Sequence, residues 1–267
     1  MPPLSQEVIN ILKWRTRNIF IDPFYILFWD LWPRFTKRTV GQVSVSRPKA
    51  QNDLIPLTML TYNRPLYFKE TLSSFVEKNI SVLEYFPIII NVQGENTDKI
   101  TSETIEKYKK FIYKVIYPKV NLGCAAGYSL LMAEAARLNP SYIVHLQDDF
   151  VSIEPLSKYI SEILEFFNDY DVGFIRLRST KDRVNDYNII SRRKIRYKKI
   201  VRNVGVSNGH FTFNPTISKT SVIEKLIPTT SEKDAQKKYQ KMGIESGQLF
   251  ANCFSHIGHE RVKNWLK

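Results

Sequence analysis

The chain alternates short apolar runs with amphipathic segments, and the alternation begins near residue 54. Residues 54–60 are apolar with Pro56 near the start, which predicts a first strand. It ends in Thr61-Tyr62-Asn63-Arg64-Pro65. Leu66, Phe68, Leu72, Phe75 and Val76 then recur at helical spacing, so a helix is predicted over about 66–78 with proline at its start. Residues 86–92 predict a second strand, and the polar stretch from Gln93 to Asp98 a turn. A polar helix is expected over 101–110 and a third strand over 111–117. The small residues of 121–127 predict a loop, and 128–138 a helix of good formers closed by Asn139-Pro140. The order β-α-β-α-β-α-β favours a mainly parallel sheet with helices on its faces.

The next apolar run, Tyr142-Ile143-Val144-His145-Leu146-Gln147, stops at two adjacent carboxylates, Asp148 and Asp149. Two neighbouring carboxylates repel, so a packed strand ending this way calls for a cation or a basic partner. A hard divalent metal is the usual solution, and such ions often bridge substrate phosphates. In open α/β sheets ligands bind beyond the carboxyl ends of the strands, where this pair sits. A surface turn carrying two acids is the plain alternative. His145, inside the strand, is expected to be a core residue with its hydrogen bonds satisfied.

Beyond the pair, a helix is expected over 156–168 and a strand over 172–177. Cations then crowd the chain: Arg192, Arg193, Lys194, Arg196, Lys198 and Lys199 almost adjoin. Such a run is usually a solvated loop or hairpin face, and the sharper alternative is a patch for an anionic acceptor or a membrane. A strand or loop follows over 207–215, then a short helix over about 221–226. Gln236, Tyr239, Glu245, Leu249, Phe250 and Phe254 recur at near-helical spacing, so 233–254 is expected to be helical, although Gly243 and Gly247 interrupt it.

Residues 1–50 form a separate arm and linker, and 51–267 the α/β domain. The arm is aromatic from Ile19 to Trp32 and flanked by Lys13, Arg15, Arg17, Arg34, Lys37 and Arg38. Rings beside cations suit an anionic membrane surface, here through 13–38. An arm packed on its own domain or on a partner subunit is the alternative. No run of about eighteen apolar residues occurs, which argues against a spanning helix. Residues 1–10 lack the pattern of a secretory signal. A cytoplasmic protein, peripheral at a membrane if the arm binds one, is the resulting expectation.

The 267 residues suit one large α/β domain plus an arm. The net charge of +13 favours anionic partners without choosing among them. Cys124 and Cys253 make no zinc or disulfide framework; both are expected to be buried thiols in a reducing compartment. There is no P-loop and no dinucleotide fingerprint. No helix-turn-helix, zinc or RNA-binding signature accompanies the basic charge, so no nucleic acid is expected, and a basic nucleic-acid-binding protein is the alternative class.

Residues 54–260 resemble a glycosyltransferase of the GT-A fold, close in pattern to the inverting family 2. The likeness rests on order and spacing. Leu57-Thr58-Met59-Leu60-Thr61-Tyr62-Asn63-Arg64 resembles the family's opening strand and turn against the donor nucleotide. Asn121-Leu122-Gly123 with Ala125, Ala126 and Gly127 resembles its Asn-x-Gly segment. Leu146-Gln147-Asp148-Asp149 falls on the Asp-x-Asp signature, and Phe213-Asn214-Pro215-Thr216-Ile217-Ser218-Lys219 on the strand and loop lining the acceptor side. Gln147 departs from the signature's first Asp. Asn91 and Gln93 stand where acidic residues usually read the base, and an amide could still bond a uracil edge. The family's late Glu-Asp pair is matched to Glu245-Ser246.

The resemblance implies transfer from a nucleotide-sugar donor, a UDP-sugar by preference, to a glycan or lipid-linked glycan acceptor, aided by Mn²⁺ or Mg²⁺. Donor contacts would come from Thr61, Tyr62, Asn63, Arg64, Gln93, Asn121, Gly123 and Asp148. Asp149 and His256 would hold the metal, with His259 as the rival histidine, and Glu245 would be the catalytic base. A relative that has lost catalysis is the alternative within the same fold, with Gln147 and Ser246 as its marks.

Overall fold

The computed structural model describes residues 54–94, 98–178, 197–201, 204–207, 211–251 and 253–258. The arm at 1–50, Arg192, Arg193, Lys194 and Arg196 of the cation-rich run, and His259 lie outside the described residues.

Strand β1 (Leu57–Tyr62) is buried until its last residue, Tyr62. Pro65 opens α1 (Pro65–Asn79), which turns Phe68, Leu72, Phe75 and Val76 inward. Strand β2 (Ile88–Gln93) is buried at all six positions, as a strand covered on both faces must be. Asp98 caps α2 (Lys99–Tyr108) by accepting from the amides of Ile100 and Thr101. Then come β3 (Ile112–Ile116), α3 (Gly123–Ala136), β4 (Tyr142–Gln147), β5 (Phe150–Ser152) and α4 (Ser157–Asp169). The second half holds β6 (Val172–Arg176), β7 (Tyr197–Val201), β8 (Val204–Ser207), β9 (Thr216–Lys219), α5 (Thr220–Leu226), α6 (Glu232–Met242), β10 (Glu245–Leu249) and β11 (Phe254–His256).

The main sheet has the order β3-β2-β1-β4-β9-β6-β10-β8-β7, and β5 pairs with β11 in a small second sheet. Strand β1 runs parallel to β2 and β4, β2 to β3, and β6 to β10. Strand β9 is antiparallel to β4 and β6, and β8 to β10 and β7. Only β8 and β9 therefore oppose the common direction, and the expected α/β architecture, a mainly parallel sheet flanked by helices, is the one found. Among the described residues no helix is long and apolar enough to cross a membrane.

Three expectations need correction. The stretch 233–254 is not one helix: α6 stops at Met242, Gly243 takes a left-handed φ of 69°, and β10 follows. Gly247 belongs to that strand because a Cβ there would lie 2.6 Å from Ile175 Cγ1. Helix α3 begins at Gly123 rather than 128, so most of the small-residue stretch is its first turn. Its Gly127 permits close approach to β2, since a Cβ would come 2.1 Å from Gln93 Nε2 and 2.9 Å from Leu60 Cδ1. Cys253 is buried, but Cys124 is exposed.

Candidate active site

Parallel strands deliver their carboxyl ends to one edge, and the polar residues there surround a cleft of about 300 Å³. Its lining includes Tyr62 and Arg64 after β1, Gln93 at the end of β2, Asn121 and Gly123 at the start of α3, and Asp148 and Asp149 after β4. The structure thus brings together most of the residues assigned to the donor. Asn63 sits beside them in a left-handed turn (φ 48°), its side chain lying where a Cβ on Gly94 would be.

Asp148 is almost fully buried. The Thr61 hydroxyl donates to its Oδ2 at 2.9 Å, and the Tyr62 amide to the same oxygen at 3.3 Å. Arg64 Nη1 stands 3.5 Å from its Oδ1. Burial outweighs these partners and raises its pKa to about 6. The Thr71 hydroxyl of α1 holds the Asp148 carbonyl at 2.8 Å, so helix and acid are fixed together.

Asp149 faces two cationic or potentially cationic groups. Arg64 Nη1 donates to its Oδ2 at 3.1 Å, and His256 Nε2 lies 3.1 Å from that oxygen. Its Oδ1 is buried with no hydrogen-bond partner among the described residues. A Cβ on Gly258 would sit 2.9 Å from His256 Nε2 and 3.0 Å from Asp149 Oδ2, so glycine keeps this corner open. An orphaned carboxylate oxygen, a facing imidazole and free space fit a divalent cation. No group of three or more His, Cys, Asp or Glu is arranged to hold a metal ion among the described residues. Asp149 and His256 are the two side chains that could hold such an ion here.

Two expected base-reading amides are engaged elsewhere. Gln93 accepts the Leu122 amide at 2.7 Å and donates to the Gly123 carbonyl at 3.3 Å. Asn91 is fully buried and donates to the Gly127 carbonyl at 3.3 Å. Gln93 docks the start of α3 onto β2, and Asn91 the turn that follows. Asn121 accepts the Gly123 amide at 2.9 Å and so shapes the start of the helix. His145 is buried, with Nδ1 3.0 Å from the Thr58 hydroxyl, and burial lowers its pKa to about 3. Its Nε2 finds no partner among the described residues, so the expectation of full satisfaction is met on one nitrogen only.

Glu245 is not brought to the cleft. It opens β10 opposite Val172, the first residue of β6. Arg176, four residues on, is level through Thr216 with His145. Glu245 is thus level with the start of β4, roughly 20 Å along the strands from Asp148. Matching it to the family's late acidic pair fails for this reason.

The structure instead brings up Glu232, which the sequence reading passed over. Phe213, three residues before β9, stacks on Tyr128 of α3 with ring centroids 4.4 Å apart. The Phe213 amide donates to Glu232 Oε1 at 3.2 Å. The Cys124 thiol, in the cleft lining, has its pKa raised first by partial shielding of the sulfur from solvent, although the residue as a whole is exposed, and next by the charge of Glu232, then of Asp148. Glu232 itself is exposed at the first position of α6. A signal for it existed: Ser231 caps α6 through the Asp234 amide, and Ser-x-x-Asp is a helix-start pattern that puts residue 232 on the first turn.

No protein-family model matches the chain, and no curated protein matches it by sequence. Solved structures do match in shape. Staphylococcal TarS (S. aureus) aligns with TM-score 0.53 at 17% identity, over 75% of this chain and 36% of that one. TarS 1–349 in complex with UDP-GlcNAc aligns with TM-score 0.53 at 15% identity, over 77% and 60%. The mannosyltransferase PcManGT from Pyrobaculum calidifontis, in complex with GDP-Man and Mn²⁺, aligns with TM-score 0.50 at 14% identity, over 86% and 63%. The chain spans less than two thirds of each of these proteins. At such identities the likeness is one of fold, and the chain has the GT-A-like α/β fold of these structures.

Proposed function

We propose that this protein is a glycosyltransferase moving a sugar from a nucleoside-diphosphate sugar, a UDP-sugar by preference, to a hydroxyl of a glycan or lipid-linked glycan with inversion. The observation that carries the reading is the Asp148-Asp149 pair, held between Thr61, Arg64 and His256 at the mouth of a cleft on this fold. The neighbours in complex with UDP-GlcNAc and with GDP-Man support the class of donor.

Asp149 and His256 would hold Mn²⁺ or Mg²⁺, which when bound supplies Lewis-acid charge to the diphosphate. Exposed Tyr62 offers a face for the nucleobase, with Asn63, Asn121 and Gly123 around it. Gln93 supports this wall by holding the loop. Arg64 is half-exposed and sits beside both carboxylates, placed to take a phosphate oxygen.

Glu232 replaces Glu245 as our candidate base. Its carboxylate takes the proton of the acceptor hydroxyl as that oxygen bonds to the anomeric carbon. The bond from the anomeric carbon to the phosphate oxygen breaks, and the nucleoside diphosphate leaves with the electron pair. The Phe213 amide keeps the carboxylate aimed.

Calorimetric titration with nucleoside diphosphates and their sugars, with and without Mn²⁺, tests the donor site. Manganese-dependent binding of one nucleotide that is lost in Asp149→Ala is the expected result. Binding of none of them would refute the reading.

A further inference from the structure

Strand β3 closes one side of the main sheet, pairing only with β2 among the described residues. Its flanks are one-sided in charge. From residue 107 to residue 133 the chain carries five lysines and no acid. Two are neutralised locally, Lys109 by Glu106 and Lys114 by Glu134. Lys107, Lys110 and Lys119 are exposed and make no ion pair among the described residues. Large apolar groups are exposed along the same rim: Tyr113 at 40%, Tyr117 at 39% and Val120 at 67%.

We infer that this open rim is a docking surface for an anionic lipid bilayer. Successive side chains of a strand alternate between faces, and of the exposed rim residues only Tyr113 lies on β3, while Lys107, Lys110, Tyr117, Lys119 and Val120 come from the segments that flank it. Tyrosine rings suit the headgroup layer, and lysine stems reach anionic phosphates while their methylenes lie on apolar surface. Lysines on an open strand also discourage pairing with another chain, but that guard needs no exposed tyrosine or valine. Nucleic acid would be met by a groove or a stacking platform; this rim is the side of a sheet. Four residues past Tyr117 the chain reaches Asn121 in the cleft lining, so a membrane on this rim lies beside the cleft mouth. Such placement suits an acceptor carried on a lipid, yet the surface itself does not depend on sugar transfer.

The test is flotation of the full chain with phosphatidylcholine vesicles, with and without phosphatidylglycerol, at low and high salt. The wild-type chain should float only with phosphatidylglycerol and at low salt. Each lysine near an anionic leaflet adds about fivefold to binding, so the triple substitution Lys107→Glu, Lys110→Glu, Lys119→Glu should weaken it roughly a hundredfold or more. Tyr113→Ser with Tyr117→Ser should weaken it severalfold. All five positions are exposed, and glutamate still charges the edge, so the fold and the guard persist. Unchanged flotation of the triple variant would overturn the inference and give any membrane contact to residues 1–50. It would equally be overturned by wild-type flotation that ignores phosphatidylglycerol, by tighter binding to single-stranded RNA than to vesicles, or by sedimentation showing that the rim pairs two copies.

Discussion

The two ends of the main sheet carry the same residue types to opposite effect. Where the strands finish, Asp148 and Asp149 line open space beside Arg64, His256 touches Asp149, and the charge of Glu232 is felt at Cys124 in the same lining. Where they begin, Glu245 follows a tight turn, its amide bonded to the Asp171 carbonyl and its carbonyl to the Tyr239 hydroxyl. The backbone of Glu245 is fixed at a turn, whereas Asp148 and Asp149 have a cleft in front of them. Position along the strand, and not the acid itself, decides which can act on a substrate.

The sharpest way to break this comparison is to neutralise one acid at each end. Glu232→Gln should lower transfer by about 10²–10⁴-fold, the range for loss of a general base, and leave donor binding intact. Glu245→Gln should stay within about twofold of the unaltered enzyme. Steady-state rates with the donor identified by calorimetry would decide. The reverse outcome would return the base to Glu245 and discard the register argument.

A second contrast lies within β4 and its end. His145 is buried neutral with a pKa near 3, against an ordinary 6.5. The unfolded chain gains a proton that the folded one refuses, so stability falls as pH drops from 6.5 to 3, by on the order of 5 kcal/mol. Asp148 has the opposite sign. Its folded pKa near 6 exceeds the usual 3.8, so the folded chain keeps a proton there and stability falls as pH rises from 3.8 to 6. The expected size is on the order of 3 kcal/mol. Between these limits the two slopes oppose each other. Asp148→Asn should therefore gain stability relative to the unaltered chain between pH 4 and 6, measured by urea unfolding at each pH. A difference that ignores pH would mean that Asp148 is ionised throughout.

The first half of the chain was legible because its strands are continuous apolar runs and its helices begin with Pro65 or Asp98. Asp148-Asp149 stood out since nothing in an apolar strand explains two acids at its end. The second half was obscured for physical reasons. Strand β10, Glu-Ser-Gly-Gln-Leu, has almost no apolar signal, because Gly247 packs on Ile175 and Ser246 and Gln248 are buried polar residues. Its neighbours Tyr239 and Phe254 happen to fall at helical spacing. Gln93 shows the same limit at the level of a side chain. Its place at the end of β2 was readable, but its bonds to the Leu122 amide and Gly123 carbonyl depend on a helix thirty residues away.

That docking can be weakened directly. In Gly127→Ala the new methyl would meet Gln93 Nε2 and Leu60 Cδ1, so either Gln93 lets go of the loop or α3 retreats. Overpacking of this kind costs about 1–3 kcal/mol, read as a lower urea midpoint. Nucleotide affinity should fall with it, because Asn121 and Gly123 ride on the same turn. Gly243→Ala offers the comparison: it strains a left-handed φ of 69° but meets nothing within 4 Å, and it lies away from the cleft lining. It should lower stability while leaving nucleotide affinity as it was.

The smallest effect we expect is at Arg64, and it carries the most information about the acid pair. Its Nη1 stands 3.1 Å from Asp149 Oδ2 and 3.5 Å from Asp148 Oδ1, where positive charge is needed. The side chain is half-exposed, so the pairing is screened and weak. A divalent ion at Asp149 would compete with that guanidinium, which would be released toward the diphosphate. Arg64→Ala should then have two effects of opposite sign. Mn²⁺ affinity without nucleotide should rise a few-fold because the competitor is gone, and nucleotide affinity in the presence of Mn²⁺ should fall a few-fold because a phosphate donor is lost. Electron paramagnetic resonance of free Mn²⁺ and calorimetry with nucleotide measure the two halves separately. A fall in both would make Arg64 a simple support of the acid pair. No change in either would leave it a surface residue, and the cation at the strand ends would then rest on Asp149 and His256 alone.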